Sequence, residues 1–447
     1  MANPKNVLVL SACLALPGFL FAADSATPVP TFAKDIARIF QEKCQDCHRK
    51  GSMAPMSLVS YEEARPWAKS IRERVITRQM PPWHIDQTIG VHEFKNDMSL
   101  SKDQISTIAK WVEAGAPRGE DKDMPPPKQW PDNEWKAAKD LGQPDFVVKS
   151  DPYMMPAHHQ DVWWRSVSDL PVTEPRWVRA VEMRPASPGS RKTTHHAQTF
   201  LMQDDPDGFA PGSDPSLGGR AMLMEWAVGK SFDIFRPDTG KLLLPGSQIS
   251  WDIHIHAVGE DQSNQVELAV WLYPKGQEPS HRTYLTGFQA IKPKAGGLRL
   301  VDIPPNSTTQ SQSFTVLKQA AILENFQPHM HWRGKAMEVE AILPDGSTQV
   351  VSYVGKFNFN WMTNYIYADD AAPAFPKGTV IRVTAWYDNT KANPNNPDPD
   401  QWVGFGDRTV DEMGHAWMNV TYLSDDEYAA WVAKHATKTA TASLAAK

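Results

Sequence analysis

Apolar positions along this chain change period twice. Residues 7–21 form one continuous apolar run behind Lys5. Phe32 to Lys43, Tyr61 to Thr77 and Leu100 to Ala114 carry apolar side chains at helical spacing, which predicts three helices in the first quarter of the chain. From Pro144 onward the apolar runs are short and bounded by Gly, Pro, Asn and Asp. Trp177–Met183, Ala197–Met202, Ile249–Ile255, Val266–Tyr273, Arg299–Ile303, Ala336–Leu343, Val380–Tyr387 and His415–Tyr422 read as strands. Many short strands in succession favour β-sandwiches over an α/β sheet. Asp121 to Trp135, with Met124-Pro-Pro-Pro127, has little periodicity and reads as a semi-rigid linker. Beyond Ser424 a short helix is expected to give way to a disordered Ala/Thr/Lys tail over 431–447.

A length of 447 residues exceeds one core and implies several domains. With 46 basic and 52 acidic residues the net charge is −6, and no basic stripe recommends nucleic acid. The run over residues 7–21 followed by Ala22-Ala23 has the layout of a secretory signal over residues 1–23, which implies a periplasmic or secreted protein. Leu10-Ser-Ala-Cys13 also resembles a lipoprotein processing box, which would leave a membrane anchor on Cys13. No other stretch approaches the roughly 18 apolar residues of a membrane helix.

The sharpest motif is Cys44-Gln-Asp-Cys47-His48, the attachment sequence for one covalent haem c: two thiols for the vinyl groups and an imidazole for the iron. Zinc would need further Cys or His at suitable spacing, and the only other cysteine is Cys13. Met80, in Arg78-Gln-Met-Pro-Pro-Trp83, is the preferred opposite ligand because two prolines stiffen its loop; Met53, Met56, Met98 and His84 compete with it. The helices and this loop together resemble a small class I cytochrome c over residues 31–120.

A second constellation lies in the β-rich region. His329 and His331 stand two apart, so on a strand they share a face and can converge on one metal. Met413, in Gly406-Asp-Arg-Thr-Val-Asp-Glu-Met413, offers a thioether, a soft ligand suited to Cu(I) and ill suited to zinc or magnesium. His195-His196 and His254-Ile-His256 are further pairs. Neighbours on an ideal strand point to opposite faces, so His195 and His196 can share a metal only where the backbone twists or bulges. His158-His159 is a second adjacent pair, read as non-ligating, and His415 lies two residues beyond Met413, where it can approach the same metal or its substrate.

His329-Met-His331-x-x-Gly334-Lys335 followed by Asp411-Glu-Met413 resembles the oxygen-binding copper site of the copper type II, ascorbate-dependent monooxygenases, the family of the peptidylglycine α-hydroxylating and dopamine β-monooxygenases. The resemblance implies a second, electron-supplying copper on three histidines: His195, His196 and His254, with His256 a close rival to the last. It covers roughly residues 144 to 430. It also implies the partition, a cytochrome c domain and a linker over 121–143 followed by two jelly-roll-like β-sandwiches over 144–285 and 286–430. By the same resemblance the chain would be a copper monooxygenase, with His329, His331 and Met413 catalytic and two copper ions bound. It would use dioxygen to hydroxylate a C–H bond of an unidentified small organic substrate, and the cytochrome would relay electrons from an external donor. The alternative is a periplasmic electron-transfer or copper-binding protein without turnover.

The sequence departs from that family at informative places. No cysteine remains for disulfides in the sandwiches, so their apolar cores must suffice. Where peptide-hydroxylating members hold the substrate carboxylate with Arg, Asn and Tyr, this chain has Gln327, His415 and Trp417, which argues against a glycine-extended peptide and for a less polar or aromatic substrate.

Overall fold

The structure is a computed structural model that describes Met1 and residues 28–52, 54–130, 135–210, 221–230, 232–293 and 299–445. The leader with Cys13, Met53 and part of the linker fall outside the described residues. The fold is predominantly β with few helices, and three sheets carry most of it.

An 11-stranded sheet runs through both halves of the β region. Its main path is Phe146–Lys149, Val266–Leu272, Arg176–Pro185, Thr239–Leu243, His281–Gln289, His415–Leu423, Ala320–Leu323 and Ala374–Phe375. Strand Val266–Leu272 is buried at all its positions, which its continuous apolar run suits. A five-stranded sheet, built around Gln248–Ile255 and Thr194–Met202, closes one core with Val178, Val181, Met183, Trp251 and Leu268. A four-stranded sheet of Thr308–Val316, Val380–Asp388, Gly334–Ile342 and Thr348–Val354 closes the other, with Phe326, Met337, Val339, Val383 and Met418. Both cores are assembled from apolar side chains, and Cys44 and Cys47 are free thiols.

Strand His281–Gln289 pairs in parallel with Thr239–Leu243 and antiparallel with His415–Leu423. The boundary expected between 285 and 286 therefore falls inside one strand, because that strand has ladder partners on both sides. The two apolar cores are therefore joined by one backbone-bonded sheet.

The predicted helices form as Phe32–Ile36 with Ala37–Lys43, a broken segment from Tyr61 to Ile76, and Lys102–Glu113. Ser60 and Ser101 each make a capping box, with Glu63 and Gln104 respectively, which fixes where two of them start. Phe32, Phe40, Ile71, Ile108 and Trp111 form their shared core.

Residues 83–98 leave this helical unit, although the sequence expectation keeps them within 31–120. Trp83 packs at 4.8 Å from Tyr365 and 5.4 Å from Phe94, in the core of the four-stranded side. The Asp86 and Val91 amides bond to Tyr353 and Val351 carbonyls. An edge strand with open carbonyls and an aromatic pocket captures the loop because both would otherwise face water. The linker also docks: Lys136 meets Asp46 at 2.7 Å, and the Ala137 amide donates to the buried Glu182 carboxylate.

At the C-terminus a helix spans Asp425–Ala445, where a disordered tail is expected from 431. Tyr428 and Trp431 pack against the second core, and the Ala-rich sequence that follows has high helix propensity, so the anchored turn propagates.

Candidate metal centre

The adjacent pair solves its facing problem with a bulge. In the ladder between Thr194–Met202 and Gln248–Ile255, His254 lies opposite His196 and Ile255 opposite Thr194, which leaves His195 as the extra residue. The bulge turns the His195 ring toward the same side as its neighbour. His195, His196 and His254 then gather with their ligand atoms within 4.8 Å of one another. His256 lies one step out, its ring 6.5 Å from that of His195.

The nitrogen that each ring can offer is set by what its other nitrogen touches. His254 Nε2 meets the Asp161 carboxylate at 2.9 Å, and its Nδ1 is buried with no hydrogen-bond partner among the described residues. Trp163 stacks on the His254 ring at 4.3 Å with a 10° tilt, a flat wall that holds the ring plane. The Nδ1 atoms of His195 and His196 are 3.0 Å apart. Burial, reinforced by neighbouring imidazoles, pushes His195 down to about 3 and His196 well below its usual range, so both stay neutral and keep lone pairs at ordinary pH. The hydrogen bond to His254 holds Asp161 below the usual carboxylate range.

His329 ends strand Asn325–His329, and His331 follows in the loop to Gly334–Ile342. Their rings are 5.7 Å apart, and burial lowers His331 to about 3. Glu412, fully buried, organises this loop. Its carboxylate accepts the amide N–H groups of His331 at 2.9 Å, Arg333 at 2.6 Å and Met413 at 3.2 Å. Burial raises Glu412 to about 7. His331 Nδ1 lies 3.1 Å from the Asp411 carbonyl, which leaves Nε2 as the open nitrogen. The backbone of Asp411–Met413 is thus tied directly to His331, and the Tyr387 hydroxyl donates to the Met413 carbonyl at 3.0 Å.

The two imidazole groups adjoin. The rings of His196 and His329 are 5.7 Å apart. Phe359 stacks on His195 at 4.8 Å and meets His331 edge-on at 6.2 Å, so one aromatic ring spans both groups. His415 lies opposite His329 in the ladder, with ring centroids at 6.0 Å, and Trp417 lies opposite Gln327. Trp417 continues into a small apolar cluster with Phe200, Met222 and Leu285. His158 and His159 are exposed and stand outside the gathered three.

In the helical unit, Cys44 and Cys47 are half-buried, and burial pushes the Cys44 thiol up to about 12. His48 Nδ1 lies 3.2 Å from the Met56 carbonyl, which leaves its Nε2 open. Met80 follows the Ala68–Ile76 helix, its amide bonded to the Arg74 carbonyl. Of its rivals, Met98 packs on the four-stranded side, Met56 against the helical core, and the His84 amide is taken by the Tyr365 hydroxyl.

Asp161, Trp163, Glu225 and Phe359 were not singled out from the sequence. One of them left a trace there: Glu225 is the single charged residue in Ala-Met-Leu-Met-Glu-Trp-Ala, a run whose other side chains bury well.

No protein-family model matches this chain, and no curated protein matches it. Among solved structures it is similar to the major capsid protein P2 of bacteriophage PM2, at 10% identity and a TM-score of 0.25, over 62% of this chain and 97% of that one. It is also similar to an N-glycanase F (PNGase F), at 9% identity and a TM-score of 0.25, over 63% of this chain and 96% of that one.

Proposed function

We propose that this chain is an exported, haem c-containing copper monooxygenase. In this reading it is a relative of the copper type II, ascorbate-dependent enzymes, with a class I-like cytochrome c unit ahead of two jelly-roll-like sandwiches. The observation that carries the reading is the bulge at His195. It gathers three imidazoles from two strands of the five-stranded sheet, while His329, at the end of a strand of the 11-stranded sheet, and His331, in the loop after it, stand beside them.

The donors fit copper. All five imidazoles are intermediate or buried, His254 Nδ1 is an orphaned buried atom, and the thioether of Met413 belongs to the segment tied to His331. His195, His196 and His254 would hold one ion; His329, His331 and Met413 would hold the other. When bound, copper supplies the reduction of dioxygen and the hydrogen abstraction in R–H + O2 + 2 e⁻ + 2 H⁺ → R–OH + H2O. Asp161 and the Asp411 carbonyl fix which nitrogen of His254 and of His331 faces inward. Glu412 holds the loop geometry, and Phe359 limits the access of water to both groups. Gln327 takes no part in binding a substrate carboxylate, and Trp417 with its apolar neighbours suits a less polar or aromatic substrate.

Cys44, Cys47, His48 and Met80 would hold a covalent haem, which would supply electrons from an external donor. The attachment loop supports that role: Arg191, four residues before His195, donates from Nη1 to the Gly51 carbonyl at 3.1 Å. The decisive experiment measures oxygen uptake and product together, with copper-loaded protein, a chemical reductant and a panel of C–H substrates. One hydroxylated product per O2 is expected, at a rate that falls at least a hundredfold in Met413→Ala. Haem that cycles with no product from any substrate would mark an electron carrier instead.

A further inference from the structure

Glu225 stands on strand Ala221–Ala227, opposite Gln198 and two residues from the partner of His196, yet its carboxylate reaches across to the other half of the molecule. Oε1 lies 3.1 Å from His329 Nδ1, and Oε2 accepts a hydrogen bond from the Gln327 amide. Both partners are sealed: Glu225 is 0% exposed and His329 2%. Neither Oε1 nor His329 Nδ1 has a hydrogen-bond partner among the described residues, so the 3.1 Å approach brings together two buried polar atoms that are otherwise uncompensated. A carboxylate buried this deeply persists only where a proton donor or cation compensates its lost hydration. Here the group that approaches Oε1 at ion-pair distance is His329 Nδ1.

We propose that Glu225 is a positioning residue for the site at His329 and His331: its carboxylate accepts a hydrogen bond from the Nδ1–H of His329, which keeps the proton on that nitrogen, fixes the ring tautomer and directs Nε2 inward. The inference rests on the copper reading above, which it deepens. It makes the two imidazoles of the second group alike, since His331 Nδ1 is tied back to the Asp411 carbonyl and also presents Nε2. It also gives Gln327 a task, which is to hold Glu225 rather than to meet substrate. A carboxylate on the far nitrogen raises the basicity of a ligating imidazole and narrows its ring rotation, so affinity and ligand field at the second site should depend on a residue that belongs to the first sandwich.

The test compares wild type, Glu225→Gln and Glu225→Asp, titrated with Cu(II) and read by metal stoichiometry and electron paramagnetic resonance, with His331→Ala to identify the second-site signal. Glu225→Gln should raise the second-site Kd about 10- to 100-fold and shift its g and hyperfine values, with the three-imidazole signal unchanged. Glu225→Asp should recover part of the affinity. The proposal is overturned if both signals and both affinities match wild type. It is equally overturned if both sites weaken together in step with a lower melting temperature. Should wild type take no copper at His329 and His331, the copper reading fails on its own. The pair is then read in the metal-free protein by nitrogen-15 resonances of the histidine rings: a proton on His329 Nδ1 that Glu225→Gln alone displaces sustains the positioning role, and an unchanged His329 ends it.

Discussion

At the scale of single residues, Glu412 shows how one buried acid can organise a site it does not itself complete. Three backbone N–H groups from two segments converge on it, so its removal would leave all three buried donors unpaired. Each orphaned donor costs on the order of 1–3 kcal/mol. Glu412→Ala should therefore lose about 3 kcal/mol or more in denaturant unfolding, and the copper-loaded variant should keep about one ion per chain, at His195, His196 and His254. Two retained ions would show that the loop holds its shape without the acid. The candidate ligands themselves were legible in the sequence because imidazole and thioether chemistry is intrinsic to the residue. Asp161 and Glu225 were not, since what makes them matter is the neighbour each meets.

At the scale of elements, the bulge at His195 and the strand Gly334–Ile342 make different points. The need for an irregularity at His195-His196 follows from the period of a strand, whereas its form, one extra residue against the His254–Ile255 step, is a property of the ladder. On Gly334–Ile342, Glu338 sits beside Glu340, which is paired with Arg382. Burial, then the charge of Glu340, raises Glu338 to about 7. An acid whose folded value is raised adds stability below its unfolded value near 4.5, and that contribution is lost as pH rises through about 7. Glu338→Gln should therefore melt higher than wild type at pH 8 and equal to it near pH 4.5. Because the group is only partly buried, solvent screening keeps the gain modest. A melting difference that does not change with pH would refute the origin assigned to it.

At the scale of the whole molecule, the units expected to follow one another along the chain are interlocked. The loop carrying Trp83 and Phe94 completes the edge of the four-stranded side, and strand His281–Gln289 has ladder partners on both sides. Truncating a buried Trp costs about 3–5 kcal/mol. Trp83→Ala should lower global stability by roughly that amount and open residues 83–98 to proteolysis, with the helical core around Trp111 left helical by circular dichroism. A loss confined to the helical unit would mean that the loop is not part of the sandwich core.

Periodicity and residue chemistry along the chain were enough to predict helices first and strands after, the positions of seven strands to within a few residues, the Cys-x-x-Cys-His segment, and the imidazoles worth following, whereas Arg299–Ile303, expected as one strand, divides into two short pieces that pair in different sheets. These depend on each residue and its near neighbours, so a linear reading reaches them. Which imidazoles adjoin, which nitrogen each one turns inward, where one sandwich ends, and whether a lone glutamate in an apolar strand has a partner were decided only by the tertiary structure. Those outcomes depend on backbone registers and on contacts such as that between Glu225 and His329, residues more than a hundred positions apart, and no local pattern encodes which distant surface will supply the missing hydrogen bond.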